Sequence, residues 1–375
     1  MTEDLPPHPA LLPSGLRDLL PPDAEMEAAS VAMLMAVFAS HGYQRVKPPL
    51  LEFEDGLLAG AGAAITDQTF RVMDPDTHRM LGIRADMTPQ VARIASSRMA
   101  HQPRPLRLSY AGQCLRTRAV APTPDRQLAQ AGIELIGADS PDADAEAVLV
   151  AAEALAALGL GRISVDLTMP PLAPALLDAA GLTGPARQAM MHAIDRKDAA
   201  VVAAYTGPIP ALLTQLILIA GPADAALAAL APLSLPAYAA TLVERLRAST
   251  AAIQRRAPGL RLTLDPLEFR GFQYHTGVCA TIYALGRHEE LGRGGRYVSG
   301  DEPATGITLF PDAVLRACPV APGRPRVFVP WETAVIVAAE LRRQGFATVA
   351  ALAPGDEMGQ LGCTHIVRGG EAVPL

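Results

Sequence analysis

From about Pro170 to Arg256 the chain shows helical spacing broken by Gly and Pro and no strand alternation, although strand-like runs lie on both sides of it. Such a block, set between strand regions, reads as a helical subdomain inserted into a sheet domain. Ahead of it, a helix is predicted over Asp23–His41, with acids in its first turn and Gly42 to end it. Strand-like pieces follow at Tyr43–Val46 and Thr69–Val72, with a turn at Asp74-Pro75-Asp76. A Pro-led helix is predicted over Pro89–Met99, then strands Leu106–Tyr110 and Gly132–Leu135 flanking a polar loop at 116–127. An Ala-rich helix over 142–158 is closed by Gly159. Beyond the block, strands resume at Leu262–Leu264 and 278–284, and the Gly-rich stretch 292–297 precedes a last core segment ending near Leu315. Three prolines and Gly323 mark Cys318–Pro325 as a linker. The remainder reads as a small β-α-β unit: Val327–Val329, a helix over Thr333–Gln344, and Thr348–Leu352. The expected domains are 1–318 with the insertion at about 170–256, a linker at 319–325, and a C-terminal unit at 326–375.

Composition removes several classes of function. A formal charge of −6 argues against a generally nucleic-acid-binding surface. The longest mostly apolar run, Ile209 to Ala220, contains Pro210 and is too short to cross a bilayer. Residues 1–20 lack the apolar segment of a signal peptide. Cys114, Cys279, Cys318 and Cys363 lie far apart with no C-x-x-C pair, which suggests reduced thiols in a cytoplasm and neither disulfides nor a metal site. No cofactor is expected.

The chemistry concentrates in Arg270-Gly271-Phe272-Gln273-Tyr274-His275-Thr276-Gly277, which sets a cation, an amide and ring groups beside two glycines just ahead of an alternating run. Such a block can present polar side chains to a small zwitterion while Gly lets the backbone approach closely. Gln130 and Glu134 are an even number apart, so on a strand they face one side. Leu81-Gly82-Ile83-Arg84-Ala85-Asp86-Met87-Thr88-Pro89 and Gln113-Cys114-Leu115-Arg116-Thr117-Arg118 complete the set. Read by themselves, Asp86 only opens the helix at Pro89, and a Gln–Glu pair on a strand is usually a solvated edge.

In the same order, these segments resemble motifs of the histidyl-tRNA synthetases. The octet is similar to Arg-Gly-Leu-Asp-Tyr-Tyr-Thr-Gly. The segment ending at Thr88 is similar to Leu-Arg-Pro-Glu-Met-Thr. The stretches 113–118 and 126–134 resemble class II motif 2 and its return strand, and Gly294–Tyr297 with Pro303–Gly306 resembles the opening of motif 3. The resemblance spans about residues 12–318 and implies an α+β class II synthetase-like fold: an antiparallel sheet flanked by helices, the helical insertion, and a short C-terminal α/β unit. It also implies a histidine pocket. Asp86 and Thr88 would hold the ammonium, Arg270 with Gln130 the carboxylate, and Glu134 with His275 the imidazole, with Arg116 and Tyr274 completing the wall.

The departures matter as much. Motif 3 of a working synthetase ends in an arginine that clamps the ATP triphosphate. Here Ala313 takes that place, with Asp312 before it, and motif 2 carries Arg118 where the family has Glu. One charge-assisted phosphate contact is worth roughly 1.5–3 kcal/mol. Gln273, His275, Ala85 and Asp86 also differ from the pattern, and only about fifty residues follow the linker where a synthetase has an anticodon-binding domain of roughly a hundred. A kept amino-acid pocket with a lost nucleotide clamp resembles the family of ATP phosphoribosyltransferase regulatory subunits. That resemblance implies a non-catalytic chain required by a short-form catalytic subunit at the first step of histidine biosynthesis, mediating feedback inhibition by free histidine. It implies a homodimer within a cytoplasmic hetero-oligomer, binding neither tRNA nor a membrane. The alternative is a histidyl-tRNA synthetase lacking a full anticodon-binding domain.

Overall fold

In a computed structural model, residues 10–119, 124–205, 209–269, 271, 274–318, 323–356 and 361–375 are described. The chain divides into two compact units, Met1–Cys318 and Pro319–Leu375. The first half of the larger unit supplies β1 (Gln44–Arg45), β2 (Leu51–Phe53), β3 (Phe70–Met73), β4 (Met80–Ile83), β5 (Leu106–Leu115) and β6 (Gln127–Ile136). Its second half adds β7 (Ile163–Thr168), β8 (Gly221–Pro222), β9 (Arg261–Asp265), β10 (Cys279–Ala284), β11 (Glu290–Ser299) and β12 (Glu302–Leu309). The smaller unit holds β13 (Arg326–Val329), β14 (Ala347–Ala350), β15 (His365–Arg368) and β16 (Glu371–Pro374).

The main sheet has the order β1-β5-β6-β12-β11-β10-β7-β9-β8. From β5 to β7 every pairing is antiparallel, but β1 runs parallel to β5 and β9 parallel to β7. The second of these explains the helical block. Parallel neighbours need a long crossover, and the helices between Thr168 and Arg261 are that crossover. The block is not wholly helical, since β8 makes a two-residue pairing with β9.

The helices Asp23–Ser40, Pro141–Ala157 and Ala237–Arg256 bury Leu34, Phe38, Val148, Leu155, Leu246 and Ile253 in one core with Ile133, Val165 and Ile282 of the sheet. A second core holds Met87, Val91 and Ala95 from the start of helix Thr88–Ser96 onward, against Leu108, Tyr110 and Tyr297. Strand alternation divides β6 accordingly: Ala131 and Ile133 enter the first core, and Gln130 and Glu134 point the other way.

One ionic network ties these layers together. The Asp144 carboxylate, 4% exposed, accepts from Arg296 Nε and Nη2 (2.9 and 2.7 Å), from Arg245 Nε (3.0 Å) and from Ser249 Oγ (2.8 Å). Helix Pro141–Ala157, strand β11 and the last helix of the insertion therefore meet on a single carboxylate.

The structure adds elements that the sequence alone does not assign. The Gly-rich stretch 292–297, to which the sequence reading assigns no element, is the middle of β11, a central strand of the main sheet. It takes glycine because a Cβ on Gly294 would stand 2.0 Å from the Gly306 carbonyl oxygen of β12. The small sheet β2-β4-β3, with β4 at its centre, was not foreseen as a sheet. The C-terminal unit has helix Val335–Arg343 between parallel strands β13 and β14, and adds an unforeseen hairpin, β15–β16, turning at Gly369-Gly370 with φ of 59° and 88°.

Candidate functional site

A cavity of about 250 Å³ opens on the side of β6 away from the helical core, and Asp86, Thr88, Arg116, Gln130, Glu134, Tyr274 and His275 all line it. Arg270 lies outside the described residues, as do Phe272 and Gln273. The pieces converge for local reasons. Helix Thr88–Ser96 begins at the pocket with Pro89 in its first turn, and Asp86 Oδ1 accepts the Thr88 N–H at 2.8 Å. Asp86 thus both opens the helix and lines the cavity. Gln130 Oε1 accepts the Met87 N–H (3.0 Å) and the Cys114 thiol (3.3 Å), so its NH₂ is the half able to face a ligand. Arg116 Nε donates to the Ala85 carbonyl at 3.3 Å. Far from a solvated edge, Gln130 and Glu134 are 2% and 1% exposed.

Glu134 is the centre of the site. Its Oε1 accepts from Thr88 Oγ1 at 2.9 Å and Tyr110 OH at 3.2 Å, and its Oε2 accepts from Tyr297 OH at 2.9 Å. The Tyr110 and Thr308 hydroxyls pair at 2.7 Å. Burial nonetheless dominates these three donors and raises the Glu134 carboxyl to about 8. Close approach to the neighbouring strand needs Gly306, where a Cβ would fall 1.9 Å from Glu134 Oε2. Tyr274 stacks on His275 with centroids 4.3 Å apart and meets Tyr297 edge-on at 5.9 Å. Burial, then the Arg293 charge, lower His275 to about 3, so it enters the wall as a neutral ring.

Tyr110, Tyr297 and Thr308 were not foreseen as site residues. For Tyr110 a signal existed: it pairs with Gly132 across β5–β6, and a Cβ on Gly132 would stand 2.5 Å from the phenol, so the ring occupies the space that glycine leaves. Nothing local marks Thr308.

Outward, the cavity changes character. Ala313, on helix Pro311–Ala317, is buried and brings no charge. Arg293 and Arg316 reach this chamber but are already paired with Glu290 and Glu289, and Asp125 and Asp312 add further carboxylates. Asp312 Oδ2 accepts the Ala129 N–H at 3.0 Å, and its other oxygen lies 3.9 Å from Arg17 Nη2. A triphosphate would meet acids at each of these points.

Comparison with known proteins identifies relatives along nearly the whole chain. Residues 15–314 match the family model described as histidyl-tRNA synthetase. ATP phosphoribosyltransferase regulatory subunits from Gluconobacter oxydans and Rhodospirillum centenum are each 51% identical to the chain. The first alignment covers 98% of both chains, and the second 99% of this chain and 98% of the other. The one from Paramagnetospirillum magneticum is 53% identical over 95% of both. Among solved structures, an ATP phosphoribosyltransferase regulatory subunit/histidyl-tRNA synthetase from Bacillus halodurans shares the fold at a TM-score of 0.81 and 21% identity, covering 95% of this chain and 96% of its own. Histidyl-tRNA synthetase from Nostoc shares it at 0.79 and 17%, covering 96% and 91%. On half-identity along nearly its whole length, the chain belongs to the family of ATP phosphoribosyltransferase regulatory subunits, on a histidyl-tRNA synthetase-like α+β fold.

Proposed function

We propose that the protein is the non-catalytic regulatory subunit of a short-form ATP phosphoribosyltransferase, required for its activity at the first step of histidine biosynthesis and making it sensitive to free histidine. The observation that carries the reading is the division of the cavity. Its inner half keeps buried polar groups suited to an amino acid, around Glu134, Gln130 and Thr88. Its outer half pairs arginines with acids and puts Ala313 where a triphosphate would need a cation. Such a chain binds its ligand without turning it over, and adenylation and tRNA charging are outside its chemistry. In this reading Asp86 and Thr88 hold the histidine ammonium, the Gln130 NH₂ and Arg270 its carboxylate, and Glu134 and neutral His275 its imidazole.

A symmetric homodimer belongs to the same reading. Cross-strand register puts Leu51, Phe53, Phe70, Val72, Leu81 and Ile83 on one face of the small sheet, with Leu51, Phe53 and Val72 exposed. A cytoplasmic location accords with four free cysteines and with the absence, among the described residues, of a helix long and apolar enough to cross a membrane.

The test is reconstitution with the purified short-form catalytic subunit. Turnover should rise well above that of either protein alone, and millimolar histidine should suppress it. A catalytic subunit equally active and equally inhibited without this chain refutes the proposal.

A further inference from the structure

Toward the other flank of the main sheet, a second concavity of about 460 Å³ lies over strands β9, β7 and β10. Register sets its floor in rows. Arg261 pairs with Ser164, which pairs with Tyr283. In the next row Thr263 pairs with Asp166. Directly opposed residues share a face, so these side chains all point into the same hollow. The turn after β10 brings Arg287 and His288 to its rim.

The donors here are unengaged. Among the described residues, the side chains of Arg261, Ser164, Tyr283 and His288 have no hydrogen-bond or ion-pair partner. Arg287 uses only Nη1, on the Arg316 carbonyl at 2.8 Å. Asp166, the carboxylate in the lining, accepts the Thr263 hydroxyl through Oδ1, and its Oδ2 has no hydrogen-bond partner among the described residues. Two guanidiniums with hydroxyls beside them match the oxygens of a phosphate. A carboxylate at the same floor would repel a bare phosphate but accepts well from alcohol groups.

We propose that this concavity binds a small phosphorylated sugar, with Arg261 and Arg287 on the phosphate, Ser164 and Tyr283 donating to it, and Asp166 accepting from a sugar hydroxyl. The site is separate from the Glu134 cavity and does not depend on the regulatory reading. Burial, with the neighbouring carboxylates, pushes the Tyr283 phenol up to about 12, so it stays a donor at neutral pH.

Ribose 5-phosphate, inorganic phosphate and ribose serve as probes, titrated into the full chain by calorimetry with and without saturating histidine. Ribose 5-phosphate should bind with a Kd of about 1 mM or tighter, several-fold better than inorganic phosphate, and histidine should not compete. Arg261→Ser should weaken it at least about tenfold. Asp166→Asn should weaken ribose 5-phosphate but not inorganic phosphate. Tyr283→Phe, which keeps the ring, guards against a folding effect and should weaken it several-fold. No saturable binding by roughly 10 mM, an unchanged Kd in Arg261→Ser, equal binding of inorganic phosphate, or competition by histidine overturns the proposal.

Discussion

Replacing Glu134 by Gln should make the protein more stable in mild alkali and leave it unable to hold histidine. In the folded chain the carboxyl titrates near 8, against about 4.5 in the unfolded chain, because burial outweighs the Thr88, Tyr110 and Tyr297 donors. The folded state therefore keeps a proton that the unfolded state releases between these values. Stability falls as pH rises through that window, at about 1.4 kcal/mol per unit. Between pH 5 and 8 the loss comes to about 3–4 kcal/mol. Glutamine has nearly the shape of the protonated acid and no proton to lose. At pH 5 the variant should match the parent to within about 1 kcal/mol, the scale of one rearranged hydrogen bond. At pH 8 it should exceed the parent by about 3–4 kcal/mol. Urea unfolding followed by far-ultraviolet circular dichroism at pH 5, 6.5 and 8 measures the difference directly. A difference constant to about 1 kcal/mol across this range would show that Glu134 is ionised throughout, and the reasoning from burial would fail.

Other outcomes follow from the same contacts. If histidine binds through the Glu134 carboxylate, its affinity should climb with pH between about 6.5 and 8, up to tenfold per unit, with proton release visible as a buffer-dependent heat in calorimetry. Thr88→Val removes one donor to Glu134 and one ligand group, and should weaken histidine by about 1–2 kcal/mol; unchanged affinity would place the ligand elsewhere. Asp144→Asn leaves Arg296, 6% exposed, with only the exposed Asp139 carboxylate at 3.2 Å as a charged partner among the described residues, and should cost about 1–3 kcal/mol in urea unfolding. Gly306→Ala drives a methyl into Glu134 and should abolish histidine binding even in whatever fraction folds.

Much of this architecture is legible in the chain because the signals are local. The spacing of Gln130 and Glu134 puts both on one face of β6, and Pro89 marks the helix that opens on the cavity. What escaped depends on neighbours distant in sequence. Gly294 carries no strand signal of its own until β12 is seen pressing on it, since the demand for a missing Cβ comes from Gly306 on another strand. Tyr110, Thr308 and Tyr297 sit on three strands, and only sheet order gathers their hydroxyls around one carboxylate. The β15–β16 hairpin is different, for Gly369-Gly370 between two alternating runs is a local signal that outweighs the short length of its strands.

Asp312 joins two parts of the molecule that would otherwise be independent. Pairing of β12 with β6 stops at Leu309 opposite Ala131, and beyond that point the Ala129 amide finds the Asp312 carboxylate. The acid that repels a triphosphate therefore also anchors the end of the strand that carries Gln130 and Glu134. An arginine at position 313 would stand beside this acid, while removing the acid would leave the Ala129 amide at the start of β6 without its partner. Under the proposed function, one carboxylate thus both opposes a nucleotide and steadies the strand that carries the amino-acid pocket, so the two properties cannot be altered independently at this position.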